Sequence, residues 1–182
     1  MDDDAALGAE LAAMLAGARR RAVRDGDRQI DTAHLLHSLL EHDPQCRAAV
    51  GGPQRLARLF GYLVQRSIGY GLRWQSSVED SGAIAVVPAP AGPAVRDARD
   101  APGWSPAAAA AMAAAREHAR RRGGSRVAGT DLLAALTEDP GSRAVEVLER
   151  AGIPARDLNT RILDARLETG TEEYAGDSGA SC

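Results

Sequence analysis

The sequence predicts an all-α protein of two four-helix repeats, related by a pseudo-two-fold axis and joined by an irregular linker. Three observations predict it. Ile30, Leu35, Leu36, Leu39 and Glu41 recur as Val127, Leu132, Leu133, Leu136 and Glu138, each 97 positions on, and Ala18, Arg19 and Ala22 recur in the same register as Ala115, Arg116 and Ala119. A constant offset of this kind marks an internal duplication. Apolar residues fall at helical spacing between the paired start signals Asp43-Pro44, Ser105-Pro106 and Asp139-Pro140, where a short side chain caps the helix and proline fills its first position. Aromatic residues make up only 3% of a chain that is 45% hydrophobic, so the core is aliphatic, and its alanine favours closely packed helices. The expected units are a first repeat at residues 1–72, a Pro/Gly-rich linker at 73–103, a second repeat at 104–169 and an acidic tail at 170–182.

In chain order, Leu7, Leu11, Met14, Leu15, Ala18 and Ala22 form one helical face, ended by Asp25-Gly26-Asp27. Asp31 or Thr32 caps the next helix, whose inner face is Leu35, Leu36, Leu39 and Leu40. Asp43-Pro44 starts a short third helix. After Gly51-Gly52-Pro53, Leu56, Leu59, Phe60, Leu63, Val64 and Ile68 define a fourth. Periodicity then fails from Trp74 to Gly103, a stretch holding Pro88, Pro90, Pro93 and Pro102. Within it Ala83 to Val87 reads as a short strand or as an extended surface piece. The second half repeats the order. An alanine-rich helix runs from Ser105-Pro106 to Arg122, a second from Thr130 to Glu138, and a third from Asp139-Pro140 through Ala144, Val147 and Leu148. A last helix opens at Pro154 with Leu158, Ile162 and Leu167. Neither half can bury its apolar face alone, so Leu36 and Leu133 are expected in one shared core.

Composition excludes several chemistries. All 22 basic residues are arginine, so Schiff-base and Walker-type phosphate-lysine chemistry is ruled out. A net charge of −3 argues against a nucleic-acid partner. Cys46 and Cys182 have no spacing of a zinc site or disulfide framework. The acidic start MDDDAALG lacks a signal peptide's basic region, and no apolar run reaches membrane-spanning length; a cytoplasmic protein without cofactor or metal is expected.

His34, His37 and His42 suggest a metal site, since His34 and His37 share one side of a helix, but no further ligand stands at a familiar spacing. The reading taken is no metal site, with His37 and His42 exposed. Cys46 reads as a small buried thiol. The arginine runs 19–24 and 116–126 read as solvated faces interrupted by Asp25 and Glu117, ahead of a docking patch or a nucleic-acid surface.

These residues resemble a known family. The stretches Ile30-Asp31-Thr32-Ala33-His34-Leu35-Leu36 and Val127-Ala128-Gly129-Thr130-Asp131-Leu132-Leu133 are similar to the T-E-H-L-L segment of the Clp N-terminal repeat. Trp104-Ser105-Pro106 resembles the aromatic-Thr-Pro that opens the family's second repeat, and Ala151-Gly152-Ile153-Pro154 resembles the joint before its last helix. The resemblance covers roughly residues 5–70 and 104–168. It implies the N-domain of Clp-type AAA+ unfoldases: an all-helical double repeat that is not an enzyme and that binds substrates, adaptors and cyclic peptides. It also implies, in some members, recognition of phosphorylated arginine through the motif Glu and a Thr at the start of each first helix. Here those Glu positions are Ala33 and Thr130, and the Thr positions are Gly8 and Ser105.

The expected function is therefore a non-enzymatic adaptor, decoy or ligand-sequestering module in Clp-dependent proteolysis, with Clp components, their substrates or peptide-like ligands as partners. Alternatives are a DNA-associated regulator using the arginine faces and, more remotely, a metal-dependent hydrolase. The expected ligand site has two parts. One is a shallow groove where the first helices of the repeats approach each other, lined by Ala12, Leu15, Ala16 and Arg19 and by their equivalents Ala109, Met112, Ala113 and Arg116; the alternative is that these alanines only allow close packing. The other is a single polar site in the second repeat, at Ser105, Thr130 and Asp131.

Overall fold

The computed structural model describes residues 8–67, 79 and 103–164. Among these the architecture is helical. Helix α1 spans Ala9–Asp25 and buries Leu11, Met14, Ala18 and Ala22. Gly26 closes it in the left-handed conformation (φ 71°), donating to the carbonyls of Ala22 and Val23. Strand β1, Gln29–Ile30, leads into α2, Thr32–His42. Asp31 caps α2 by accepting the His34 amide at 2.9 Å. Helix α3, Pro44–Val50, starts at Asp43, whose carboxylate accepts the amides of Gln45 and Cys46. Helix α4 is Pro53–Ser67.

Strand β2, Gly103–Trp104, runs parallel to β1 with Ile30 opposite Trp104. Helix α5, Pro106–Arg121, is capped by Ser105, which accepts the Ala108 amide at 3.0 Å. Helix α6 is Gly129–Leu136 and α7 is Arg143–Arg150. A last helix, α8, occupies residues 155–164 after Gly152, whose φ of 75° turns the chain.

Helix α2 is the centre of the molecule, and every residue from Thr32 to Leu40 is buried. Helix α1 lies along α2, and α5 along α6. The two repeats then cross. Helix α7 packs on α2 and α4, and in the mirrored arrangement α3 packs on α6, while Arg161 of α8 donates to the carbonyls of Ala49 and Val50 at the end of α3. This reciprocity is the pseudo-two-fold relation that the 97-residue register requires. Leu36 and Leu133 are both fully buried in one continuous aliphatic core. Close approach within a repeat depends on Gly17: a Cβ there would run into the Ser38 hydroxyl, which donates to the Met14 carbonyl at 2.6 Å.

Three expectations are corrected. Asp139-Pro140 does not start a helix. The Asp139 carboxylate turns back onto the Gly141 amide at 2.9 Å, and α7 begins a turn later with Ser142 as cap. The two-residue ladder of β1 and β2 joins the repeats where only irregular chain was expected. His37 is buried, with its ring tilted 57° against that of Phe60 and the ring centres 5.7 Å apart. Leu7, Ile68, Leu167, the stretch 83–87 and the tail lie outside the described residues.

Candidate functional site

The polar centre of the molecule is a carboxylate seat where the starts of three helices meet. Its occupant is Glu79, a residue of the segment between the repeats, only 4% exposed. One Glu79 oxygen, Oε2, accepts the Thr32 amide at 2.9 Å and the Ser105 hydroxyl at 2.8 Å. The other, Oε1, accepts the Thr32 hydroxyl and the Arg143 amide, the latter at 2.7 Å. The direction of each hydroxyl is set from behind. Thr32 Oγ1 accepts the Ala144 amide and Ser105 Oγ accepts the Ala108 amide, so each is left to donate forward. Free amides and helix dipoles at the starts of α2, α5 and α7 all favour a negative charge here. The seat joins the repeats, since Thr32 comes from the first and Ser105 and Arg143 from the second. The β1–β2 ladder sets their spacing, with the Ser105 amide donating to the Ile30 carbonyl at 3.0 Å.

An open cleft of about 590 Å³ is lined by Thr32 of the seat and by Ser142, the cap of α7. Its walls are Ala107, Ala110, Ala111 and Ala114 of α5, Ala135 and Leu136 of α6, and the turn 138–141. A second cleft, of about 940 Å³, stands in the equivalent place on the other repeat, between the start of α1, the α2–α3 joint and the α5–α6 turn. In the repeat register, Met14 matches Ala111, Leu39 matches Leu136, and Gly129 matches Thr32. In this larger cleft the hydroxyls are missing, because Gly8 and Gly129 stand where Ser105 and Thr32 stand in the other. The carboxylate of Asp43 fills the space, lying where a side chain on Gly129 would be.

The expected polar site is divided by the structure. Ser105 is fully buried and belongs to the Glu79 seat. Asp131 is equally buried but faces the larger cleft's rim, where it accepts the Ala128 amide at 2.9 Å and pairs with Arg122 at 2.7 Å. Thr130 beside it is half-buried. Ser105 and Asp131 therefore serve different clefts, because the start of each second helix faces the first helix of the opposite repeat. The expected groove between the first helices is also redistributed. Among the described residues α1 and α5 form no extended contact, since each is packed on its own second helix. Ala12, Ala16, Arg19, Ala109 and Ala113 are exposed, Leu15 and Arg116 are half-buried, and Met112 is in the core. None of these eight lines either cleft; their neighbours Leu11, Met14, Ala110, Ala111 and Ala114 do. The missed residue is Glu79, and no local pattern around it signals a seat formed by residues 26 and 47 positions away.

His34 is packed as a charged structural residue. Burial opposes its charge, but the carboxylates of Asp25, Asp27 and Asp31 outweigh it and raise the imidazole to about 10. At neutral pH the ring is therefore a cation, and Nδ1 donates to Asp31 Oδ1 at 2.9 Å rather than accepting the Asp31 amide at 3.2 Å. Nε2 faces Asp27 at 3.3 Å and Asp25 at 3.6 Å. Asp27, Asp31 and His34 are close enough together to resemble a metal site. Asp31, however, is already engaged in an ion pair with Arg143 at 2.6 Å.

No family profile and no curated protein matches the chain by sequence. Its fold does match solved structures. The N-terminal domain of Hsp104 from Candida albicans aligns over 88% of this chain and 91% of its own, with a TM-score of 0.62 at 14% identity. The N-terminal domain of the caseinolytic protease associated chaperone ClpD from Arabidopsis thaliana aligns over 91% and 97%, with a TM-score of 0.60 at 20% identity. A chain from structural work on a malarial protein secretion system aligns over 88% and 94%, with a TM-score of 0.61 at 14% identity. The all-helical double repeat described above is thus the fold of the Clp and Hsp104 N-terminal domains.

Proposed function

We propose that this chain is a non-enzymatic polypeptide-binding module that serves as an adaptor, decoy or ligand-sequestering protein in Clp-dependent proteolysis. The observation that carries the reading is the 590 Å³ cleft, which is open and lined largely by alanines, with Thr32 and the turn 138–142 supplying its polar groups. Such a shape suits an extended peptide whose apolar side chains lie on the alanine wall. The shared fold of Clp and Hsp104 N-terminal domains supports the same class of partner. The chemistry-bearing side chains support a role without catalysis: Cys46 is buried, and His34 is enclosed by three aspartates. Among the described residues no helix is long and apolar enough to cross a membrane.

The test is to cross-link the full chain in its native cell, identify the partner by mass spectrometry, and rebuild the complex from purified components. The expected result is saturable binding to a Clp component or to one of its substrates. Recovery of nucleic acid instead, with affinity for duplex DNA that falls steeply with salt, overturns the reading in favour of a regulator using the arginine faces.

A further inference from the structure

The two clefts are related by the repeat, yet their carboxylates have different origins. In the larger cleft the occupant is local: Asp43 caps the helix that follows it and has nowhere else to go. In the smaller cleft the local counterpart, Asp139, is turned away onto the Gly141 amide. The buried carboxylate at this junction is instead Glu79, which lies 64 positions before its amide partner Arg143. The seat is also more elaborate than a helix start needs. It has two hydroxyls oriented from behind and two amides, and it assigns two donors to each carboxylate oxygen. That count satisfies a planar carboxylate completely and leaves the third oxygen of a phosphoryl group without a donor. No basic side chain among the described residues donates to the Glu79 carboxylate, and the Arg143 guanidinium is committed to Asp31. The seat therefore selects by hydrogen-bond geometry and helix dipoles, and one of its members, Thr32, also lines the alanine-walled cleft.

We infer that the seat formed by Thr32, Ser105 and the Arg143 amide is a receptor for a glutamate-type carboxylate on an extended peptide, and that Glu79 is its tethered occupant. This rests on the peptide-binding reading above and names its ligand chemistry. An incoming acidic segment must displace Glu79. A tethered group competes at millimolar effective concentration, so the intact chain binds such a segment weakly until Glu79 is withdrawn.

The test uses a fluorescent peptide with this chain's own residues 76–82, SSVEDSG, titrated into the full chain, into Glu79→Gln, and into Glu79→Gln with Thr32→Val. Saturable binding to Glu79→Gln is expected, at least ten-fold tighter than to the unaltered chain. Binding is expected to be lost with the Thr32→Val double variant and with a peptide carrying Gln in place of its Glu. Equal binding to the unaltered and Glu79→Gln chains, no binding to a folded Glu79→Gln chain, or indifference to the peptide's Glu overturns the inference. A peptide with phosphoserine at that position is expected to bind more weakly; equal or tighter binding overturns the choice of carboxylate. Should Glu79→Gln fail to fold, the Thr32 and Arg143 amide resonances of the unaltered chain decide. A saturable shift with the Glu peptide is expected, and no shift at millimolar peptide refutes the receptor. Failure here leaves the partner found by cross-linking unaffected, so the two readings fail separately.

Discussion

Asp31 ties three features of the molecule to one side chain. It caps α2, pairs with Arg143 across the repeats and neutralises His34. Removing it breaks the buried ion pair with Arg143, and breaking a buried pair from one side typically costs about 3–5 kcal/mol. Asp43 caps α3 beside the open larger cleft, and loss of a cap costs about 1 kcal/mol. Chemical denaturation of Asp31→Ala and Asp43→Ala is expected to separate them by that margin. The two buried histidines oppose each other in pH. His34 is raised to about 10 in the fold, so its contribution is complete below its unfolded value near 6.5 and disappears as pH rises toward 10. His37 is pushed down to about 4, first by burial and then by Arg21, so protonation favours unfolding as pH falls from about 6.5 toward 4. The melting temperature should peak near pH 6.5. His34→Gln should flatten the alkaline side, and His37→Leu the acidic side; an unchanged profile in either variant refutes the assignment.

At the scale of elements, the starts of helices were the most legible features. Asp43-Pro44 and Ser105-Pro106 mark real caps, and of the two candidates Asp31 and Thr32 it is Asp31 that caps α2, because capping is settled within four residues of chain. Asp139-Pro140 carries the same signal and misleads. Gly141 lets the chain turn, and Ser142 offers a competing cap one turn on. Helical periodicity identified buried faces correctly at Leu35, Leu36, Leu132 and Leu133. It does not say which partner a small-residue face meets: Ala12, Ala16, Ala109 and Ala113, expected between α1 and α5, are exposed. Glu79 was illegible for a related reason: its partners are remote in sequence. Gly17 gives the packing of α1 on α2 a direct test. Gly17→Ala should destabilise by about 1–3 kcal/mol through overpacking, and adding Ser38→Ala should recover much of the loss, since the hydroxyl is the nearest obstacle. Additive losses would place the strain elsewhere.

For the whole molecule, the crossing of α7 onto α2 and of α3 onto α6 makes the repeats mutually dependent. Leu133→Ala should cost about 2–5 kcal/mol and lower a single cooperative transition. A fragment of residues 104–169 should lack a cooperative melt by circular dichroism, because Val147 and Leu148 of α7 would lose the core they share with α2. A stable isolated repeat would show that each half has its own core. The same crossing brings Thr32, which lines the alanine-walled cleft, to Ser105 and Arg143 of the other repeat. The central claim is that a polypeptide partner lies in this cleft, and filling the cleft tests it most directly. Ala110 lines it and is exposed, so Ala110→Trp should occupy the space without disturbing the core. Titration of the identified partner into the unaltered chain and into Ala110→Trp should give at least a ten-fold loss of affinity at unchanged melting temperature. Full affinity in a folded Ala110→Trp chain would contradict the account.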